Sequence, residues 1–172
     1  MKILLLDQKK LTQKSRAGLS KWPDDPEETQ GYVVATRNGT IDLLAQDYVS
    51  LTELPQELAG LQVLGTFHSH PHGCRKDRCF HQPPSIKDLT SFRELSMGPL
   101  NLPVHLIITK QGILFVKTHR SNKKRWRAMM KELEALQNKN ARPEETEPLW
   151  YGITHRYPDV MSVTVLKKKL DR

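Results

Sequence analysis

Short apolar runs bounded by turn-forming residues recur along the chain and predict a set of β-strands. The run at 61–67 ends on His68, and Asn38-Gly39 is a hairpin turn signal between two of the runs. The predicted strands cover residues 2–6, 29–36, 41–45, 61–67, 104–109, 113–117 and 160–166. We therefore expect these runs to form a β-sheet.

Apolar residues recur at helical spacing over 121–137, which predicts an amphipathic helix with a strongly basic outer face. They are Trp126, Met129, Met130, Leu133 and Leu136. Two further helices are predicted at 8–20 and from Ser85 to about Leu95. Because strands alternate with helices and no Rossmann-type glycine fingerprint occurs, the pattern favours an α/β or α+β sandwich over an all-β fold.

The composition of the chain changes after the basic helix. Residues 138–148 are polar and contain proline, which predicts a linker. We therefore expect one domain over residues 1–137 and a C-terminal extension over 149–172. A chain of 172 residues is long enough for one domain with a hydrophobic core, which agrees with this division.

Charge and cysteine content narrow the class of protein. The apolar run at 3–6 is interrupted by Asp7 and is far too short for a signal peptide or a membrane span, so we expect a cytoplasmic protein without membrane contact. Cys74 and Cys79 are too few for a disulfide-stapled secreted fold. The net charge of +8 would suit an acidic partner, either nucleic acid or a protein surface.

Residues 68–81 hold four of the seven histidines and both cysteines. His68 and His70 are separated by one residue at a strand end, so both imidazoles project to the same side and can bind one zinc ion. Asp88 can supply a third ligand from the first turn of a helix that starts at Ser85. Serine followed three residues later by an acid is also close to a helix capping box, and a lone His-x-His pair is more often structural, so neither pattern alone indicates a metal site.

Three segments, together with their order, resemble the JAMM motif of the MPN-domain zinc metalloproteases. They are 28–31 (Glu-Thr-Gln-Gly), 65–71 (Gly-Thr-Phe-His-Ser-His-Pro) and 83–88 (Pro-Pro-Ser-Ile-Lys-Asp). The family motif runs Glu-x-x-Gly, then His-Ser/Thr-His-Pro, then Ser-x-x-Asp. The likeness covers about residues 1–137 and implies an α/β fold, a sandwich of the MPN (cytidine-deaminase-like) type with a mixed β-sheet flanked by helices.

The resemblance also implies a role for each matched residue. His68, His70 and Asp88 would bind a catalytic zinc ion. Glu28 would be the general acid/base for the water that attacks an amide carbonyl, and Ser85 would donate a hydrogen bond to the developing oxyanion. The expected reaction is hydrolysis of an amide or isopeptide bond at the C-terminus of a ubiquitin-like or sulfur-carrier protein, with that protein or its conjugate as the partner.

The match departs from the family pattern in small details. Glu27 competes with Glu28 for the acid/base role, but only Glu28 has glycine three residues later. Ala35 stands where the family usually has a second glycine, a small change. The connection between His70 and Ser85 has fourteen residues, about twice the usual number, so the additional residues must loop out if the aspartate is to reach the metal.

The additional loop has metal-binding side chains of its own. Four of them could bind a second, structural zinc ion: His72, Cys74, Cys79 and His81. The alternative is a flexible, basic loop with free thiols. The sequence leaves both interpretations open.

Two other classes of function fit part of the pattern. A catalytically silent MPN-like scaffold would bind partners, but inactive members of the family typically lack ligands, and all five motif residues are present here. A nucleic-acid-associated protein would use the basic run at 123–127. We expect weak, nonspecific binding to nucleic acid at most.

Overall fold

The computed structural model describes residues 10–47, 50–71, 74–75, 78–79, 82–139 and 143–167. Eight strands lie within these ranges: β1 Gln30–Ala35, β2 Ile41–Ala45, β3 Gln62–Ser69, β4 Cys74–Arg75, β5 Arg78–Cys79, β6 Val104–Thr109, β7 Gly112–Thr118 and β8 Met161–Lys167. Four α-helices accompany them: α1 Gln13–Lys21, α2 Ile86–Met97, α3 Lys123–Gln137 and α4 Pro143–His155.

Six of the strands form one mixed sheet in the order β2-β1-β3-β6-β7-β8. The pairing of β3 with β6 is parallel, and the other neighbours are antiparallel. The hairpin between β1 and β2 turns at Gly39, whose φ of 77° lies in the left-handed region that favours glycine. These strands confirm the predicted ones, except that residues 2–6 lie outside the described ranges.

Helices cover both faces of the sheet. On one face, buried residues of α2, α3 and α4 pack against apolar residues of β6 and β7 such as Ile107, Leu114 and Val116. On the opposite face, Leu19 of α1 packs in a cluster with Phe67 and Leu106. Because neighbouring residues of each strand point to opposite faces, one strand can contribute to both cores. The predicted α/β class with a mixed sheet flanked by helices is therefore confirmed.

The first helix starts later than its predicted range of 8–20. Thr12 is its N-cap, and the Thr12 side chain accepts a hydrogen bond from the Ser15 backbone N–H. Leu11, immediately before the cap, pairs with Ile41 in an isolated parallel bridge. Leu11 and the extended Thr12 thus separate Lys10, which lies in a 3-10 turn, from α1, which begins at Gln13.

The C-terminal segment differs from its prediction. Residues 143–148, expected to belong to a linker over 138–148, form the first part of α4. Trp150 and Ile153 on this helix are buried against α3, so burial of an apolar face overrides the polar, proline-containing composition. The strand predicted at 160–166 is present as β8, and it completes the sheet beside β7. The described part of the C-terminal segment therefore shares the main core.

Within the described ranges, no helix combines the length and the apolar content needed to cross a bilayer.

Replacing Trp150 tests whether α4 is part of the core. Trp150→Ala should lower the free energy of unfolding by about 3–5 kcal/mol, the usual effect of deleting a buried tryptophan side chain. The neighbouring Leu149 is 55% exposed, so Leu149→Ala should change stability by no more than about 0.5 kcal/mol. Urea unfolding of the wild type and both variants measures the difference. Far-UV circular dichroism is the suitable signal, because it reports on the backbone and does not require Trp150. Equal stabilities would mean that α4 is only loosely attached.

Candidate metal centre

The end of β3 holds two imidazoles in fixed positions. His68 lies within β3, and His70 follows the strand directly. The His70 backbone N–H donates to the Ile108 carbonyl at 2.9 Å, so contact with β6 continues beyond the last strand residue. Both side chains are buried. As predicted from the alternation of strand side chains, the two rings face the same side, with their centroids 4.7 Å apart.

The ligand atoms of three side chains converge at this point. His68 Nε2 lies 2.9 Å from His70 Nε2 and 3.9 Å from Asp88 Oδ2. All three ligand atoms lie within 4.8 Å of one another. Two atoms that bind one tetrahedral zinc ion at about 2.1 Å are about 3.4 Å apart. Small changes in the side-chain torsion angles would therefore bring the three atoms to the spacing that a single ion requires. This group could therefore hold a metal ion.

Asp88 is held by the start of α2. Ser85 is the N-cap of the helix, and its backbone N–H and hydroxyl donate to Asp88 Oδ2 at 2.8 and 2.7 Å. The Asp88 backbone N–H in turn donates to Ser85 Oγ at 3.1 Å. The capping box considered from the sequence is thus present, and it directs the carboxylate towards His68. The long connection between His70 and Ser85 does not keep Asp88 away from the imidazoles.

The protonation states suit metal binding. His70 Nδ1 lies 2.9 Å from the Gln82 carbonyl oxygen, which can only accept, so Nδ1 is the donor in this contact and Nε2 is the ring nitrogen that faces His68. Burial and, secondarily, the neighbouring His70 lower the pKa of His68 to about 4, although the Asp88 carboxylate opposes this shift. His68 is therefore neutral at neutral pH, the form that binds metals.

Glu28 lies two residues before β1, which pairs with the strand that carries His68. The register pairs Gln30 with His68, and continuing it by two residues places Glu28 opposite His70. Two hydrogen bonds support this register: Thr29 N–H donates to Ser69 Oγ at 2.8 Å, and Ser69 N–H donates to the Thr29 carbonyl at 2.7 Å. The Glu28 side chain is exposed. The register of β1 with β3 thus leads the chain at Glu28 towards the end of β3 that carries the histidines.

The glycine of the Glu-x-x-Gly segment, Gly31, is required for steric reasons. A Cβ on Gly31 would lie 2.0 Å from the Leu44 carbonyl oxygen and 2.8 Å from the Phe67 ring. Only glycine therefore allows β1 to lie this close to its neighbours.

The cysteine-containing loop is described only in part. Its backbone forms an antiparallel hairpin of β4 and β5 in which Cys74 and Cys79 are partners. His72 and His81 lie outside the described residues. The second, structural zinc site therefore stays a prediction.

Other parts of the site had no assigned role in the sequence. Ser69 belongs to the matched segment 65–71, so the motif already pointed to this residue. The Gln82 carbonyl is a backbone group, which no pattern of side chains reveals. His105, which lies outside the three matched segments, is fully buried. Burial and, secondarily, His68 lower the pKa of His105 to about 3, which keeps the ring neutral. The other two histidines without a role, His119 and His155, are half-buried and exposed.

Comparison with known proteins found no family model and no curated protein that matches the chain. The ligand atoms themselves indicate the chemistry of the site. Two imidazole nitrogens and one carboxylate oxygen form a donor set typical of catalytic zinc sites, which leave a fourth position for water or substrate. The three side chains fit zinc better than calcium or magnesium, which prefer oxygen ligands throughout.

Removing one ligand charge tests the metal centre. The wild-type chain should bind zinc at this group, and Asp88→Asn should weaken that binding by more than about 100-fold, because even loss of an outer hydrogen-bond partner costs 10- to 100-fold. Asparagine keeps an acceptor for the Ser85 cap. Asp159→Asn is the control, since Asp159 is paired with Arg125 elsewhere.

Zinc competition against a chromophoric chelator measures these affinities. Zinc binding unchanged by Asp88→Asn would contradict the proposed ligand set. A second zinc equivalent that is lost in Cys74→Ala would locate the additional site in the loop.

The capping box predicts a separate effect on stability. Ser85→Ala removes the N-cap hydroxyl and should destabilise the metal-free protein by about 1 kcal/mol, whereas Ser85→Thr should retain most of the capping energy. Chemical denaturation in the presence of a chelator compares the two variants. An alanine variant as stable as the wild type would mean that the cap contributes nothing to α2.

Proposed function

We propose that this chain is a zinc-dependent hydrolase of amide or isopeptide bonds, of the JAMM type and with an MPN fold. One observation carries the proposal. Ligand atoms of His68, His70 and Asp88 converge although the aspartate lies beyond an unusually long connection. The motif predicts this convergence, whereas a strand-end histidine pair and an unrelated helix cap would have no reason to meet.

The surrounding fold is compatible with the proposal. The mixed sheet and its flanking helices provide the α/β frame that the resemblance implies. Glu28 precedes β1 by two residues, and the register of β1 with β3, continued to that position, would put it opposite His70. The order of the matched segments in the sequence thus corresponds to neighbouring positions in space.

The side chains have distinct tasks in the proposed reaction. His68, His70 and Asp88 would hold the metal. A bound zinc ion would polarise the scissile carbonyl and make water acidic enough to lose a proton near neutral pH. Glu28 would accept that proton and deliver it to the leaving amine, and its exposure gives it access to solvent and substrate.

Ser85 would stabilise the oxyanion of the tetrahedral intermediate. Its single hydroxyl proton is donated to Asp88 Oδ2 in the structure. The proposed role therefore requires this proton to turn towards the substrate when the Asp88 carboxylate binds the cation. The Ser85 backbone N–H also donates to Asp88, so the carboxylate keeps one partner from the same residue.

The substrate class follows from the resemblance. We propose a ubiquitin-like or sulfur-carrier protein, joined through its C-terminus to an amine. The site is indifferent to the identity of that protein, because the reacting atoms belong to the amide. Recognition must therefore come from surfaces around the site, and the net charge of +8 would favour a partner with an acidic surface. A cytoplasmic location remains part of this proposal.

Replacing the general base tests the chemistry separately from metal binding. With the zinc-loaded protein and a fluorogenic C-terminal amide of a ubiquitin-like protein, Glu28→Gln should lower kcat by about 10²- to 10⁴-fold. Zinc affinity should be unchanged, because Glu28 is not a ligand. Glu27→Gln removes the adjacent exposed carboxylate and should stay within about twofold of the wild type.

The same assay separates the competing outcomes. Equal rates for Glu28→Gln and the wild type would remove Glu28 from the mechanism. A wild-type protein that binds zinc but hydrolyses none of a panel of ubiquitin-like and sulfur-carrier amides would contradict the proposed activity and favour a silent scaffold.

A further inference from the structure

His105 on β6 has both ring nitrogens beside side-chain hydroxyls. Nδ1 lies 2.8 Å from Thr66 Oγ1, and Nε2 lies 3.4 Å from Ser96 Oγ. A neutral imidazole has one donor and one acceptor nitrogen, so two hydroxyls can satisfy the ring. Because these partners lie at opposite edges of a fully buried ring, they also restrict its rotation.

The two hydroxyls come from the two elements that carry the metal ligands. Thr66 lies on β3, two residues before His68 and on the same face. Ser96 lies on α2, about two helical turns after Asp88. His105 belongs to neither element. It lies on β6, opposite Thr66 in the parallel pairing of β3 with β6. From there its ring contacts both β3 and α2.

Phe92 extends this connection to a ligand. Its ring stacks on His105 with the centroids 4.0 Å apart and an interplanar angle of 3°. Its centroid also lies 5.8 Å from that of His68. The Ser96 hydroxyl donates to the Phe92 carbonyl at 2.6 Å, which holds the same turn of α2. A fixed His105 ring thus limits where Phe92, and next to it the His68 imidazole, can lie.

We infer that His105 is a positioning residue for the metal centre, holding β3 and α2 in the arrangement in which His68 and Asp88 face one cation. The inference rests on the proposed function. A metal-binding site needs its ligands held closely in place, and residues behind the ligands provide this constraint. An apolar ring at position 105 could fill the space, but it would leave the Thr66 and Ser96 hydroxyls without this partner.

Four variants test the inference. Thr66→Val removes one hydroxyl at nearly constant volume, and Thr66→Ser restores it. His105→Phe keeps a stacking ring without its nitrogens. Leu106→Val perturbs the next residue of β6, which is buried on the opposite face, and serves as the control for loss of core stability.

The measurements are zinc affinity by chelator competition, the visible absorption spectrum of the Co²⁺-loaded protein, and chemical unfolding of the metal-free protein. Thr66→Val and His105→Phe should weaken zinc binding about tenfold and change the cobalt spectrum. Thr66→Ser and Leu106→Val should bind zinc within about twofold of the wild type. If His105→Phe fails to fold, the Thr66 pair decides.

Two contrary results can be told apart. If the wild type binds one zinc ion and all variants bind it equally with the wild-type cobalt spectrum, His105 is only a core residue and the inference is overturned, while the proposed function stands. If the wild-type chain binds no zinc at His68, the proposed function fails and this inference fails with it.

Discussion

The position of β3 between β1 and β6 is the constraint on which the rest of the site depends. Hydrogen bonds hold the strand end from both sides: Ser69 is tied to Thr29 on one flank, and His70 is tied to Ile108 on the other. A strand end held in this way has little conformational freedom left to lose when a metal binds. The two imidazoles therefore lie together at the end of the strand. There His68 faces Asp88 in the first turn of α2.

The start of α2 places two demands on one carboxylate. Asp88 accepts hydrogen bonds from the Ser85 backbone and hydroxyl, and its Oδ2 also faces His68. An ionised carboxylate has acceptor capacity on two oxygens, so capping and metal binding are compatible. The same interactions that begin the helix also orient the ligand. The helix cap is therefore part of the arrangement that could hold a metal ion.

The sequence predicted secondary structure best where the apolar periodicity of a segment matches the way that segment is buried in the fold. The strands around His68 and the helix after Ser85 have clear apolar periodicity, and the structure contains both. Residues 143–148, predicted as part of a linker over 138–148, begin a helix whose buried residues, Trp150 and Ile153, come later in the sequence. Composition alone cannot distinguish such a helix from a solvated connection.

The site shows the same division between residues with a pattern and groups without one. His68, His70 and Asp88 could be selected by residue type, order and the periodicity of their elements. The Gln82 carbonyl could not, since any residue at that position supplies the same group. His105 likewise has no neighbouring motif, and its place behind the ligands arises only from the strand order, which the sequence left open.

The long connection between His70 and Ser85 is consistent with this view of the site. Doubling the length of a flexible loop costs only about 0.6 kcal/mol in closure entropy, far less than the loss of a metal ligand. Within the described part of this connection, β4 and β5 pair with each other and the Gln82 carbonyl contacts His70. The chain thus returns to the site before α2 begins. To bring the three side chains together, the chain needs the right residues at the end of β3 and at the start of α2. The length of the connection between them can vary.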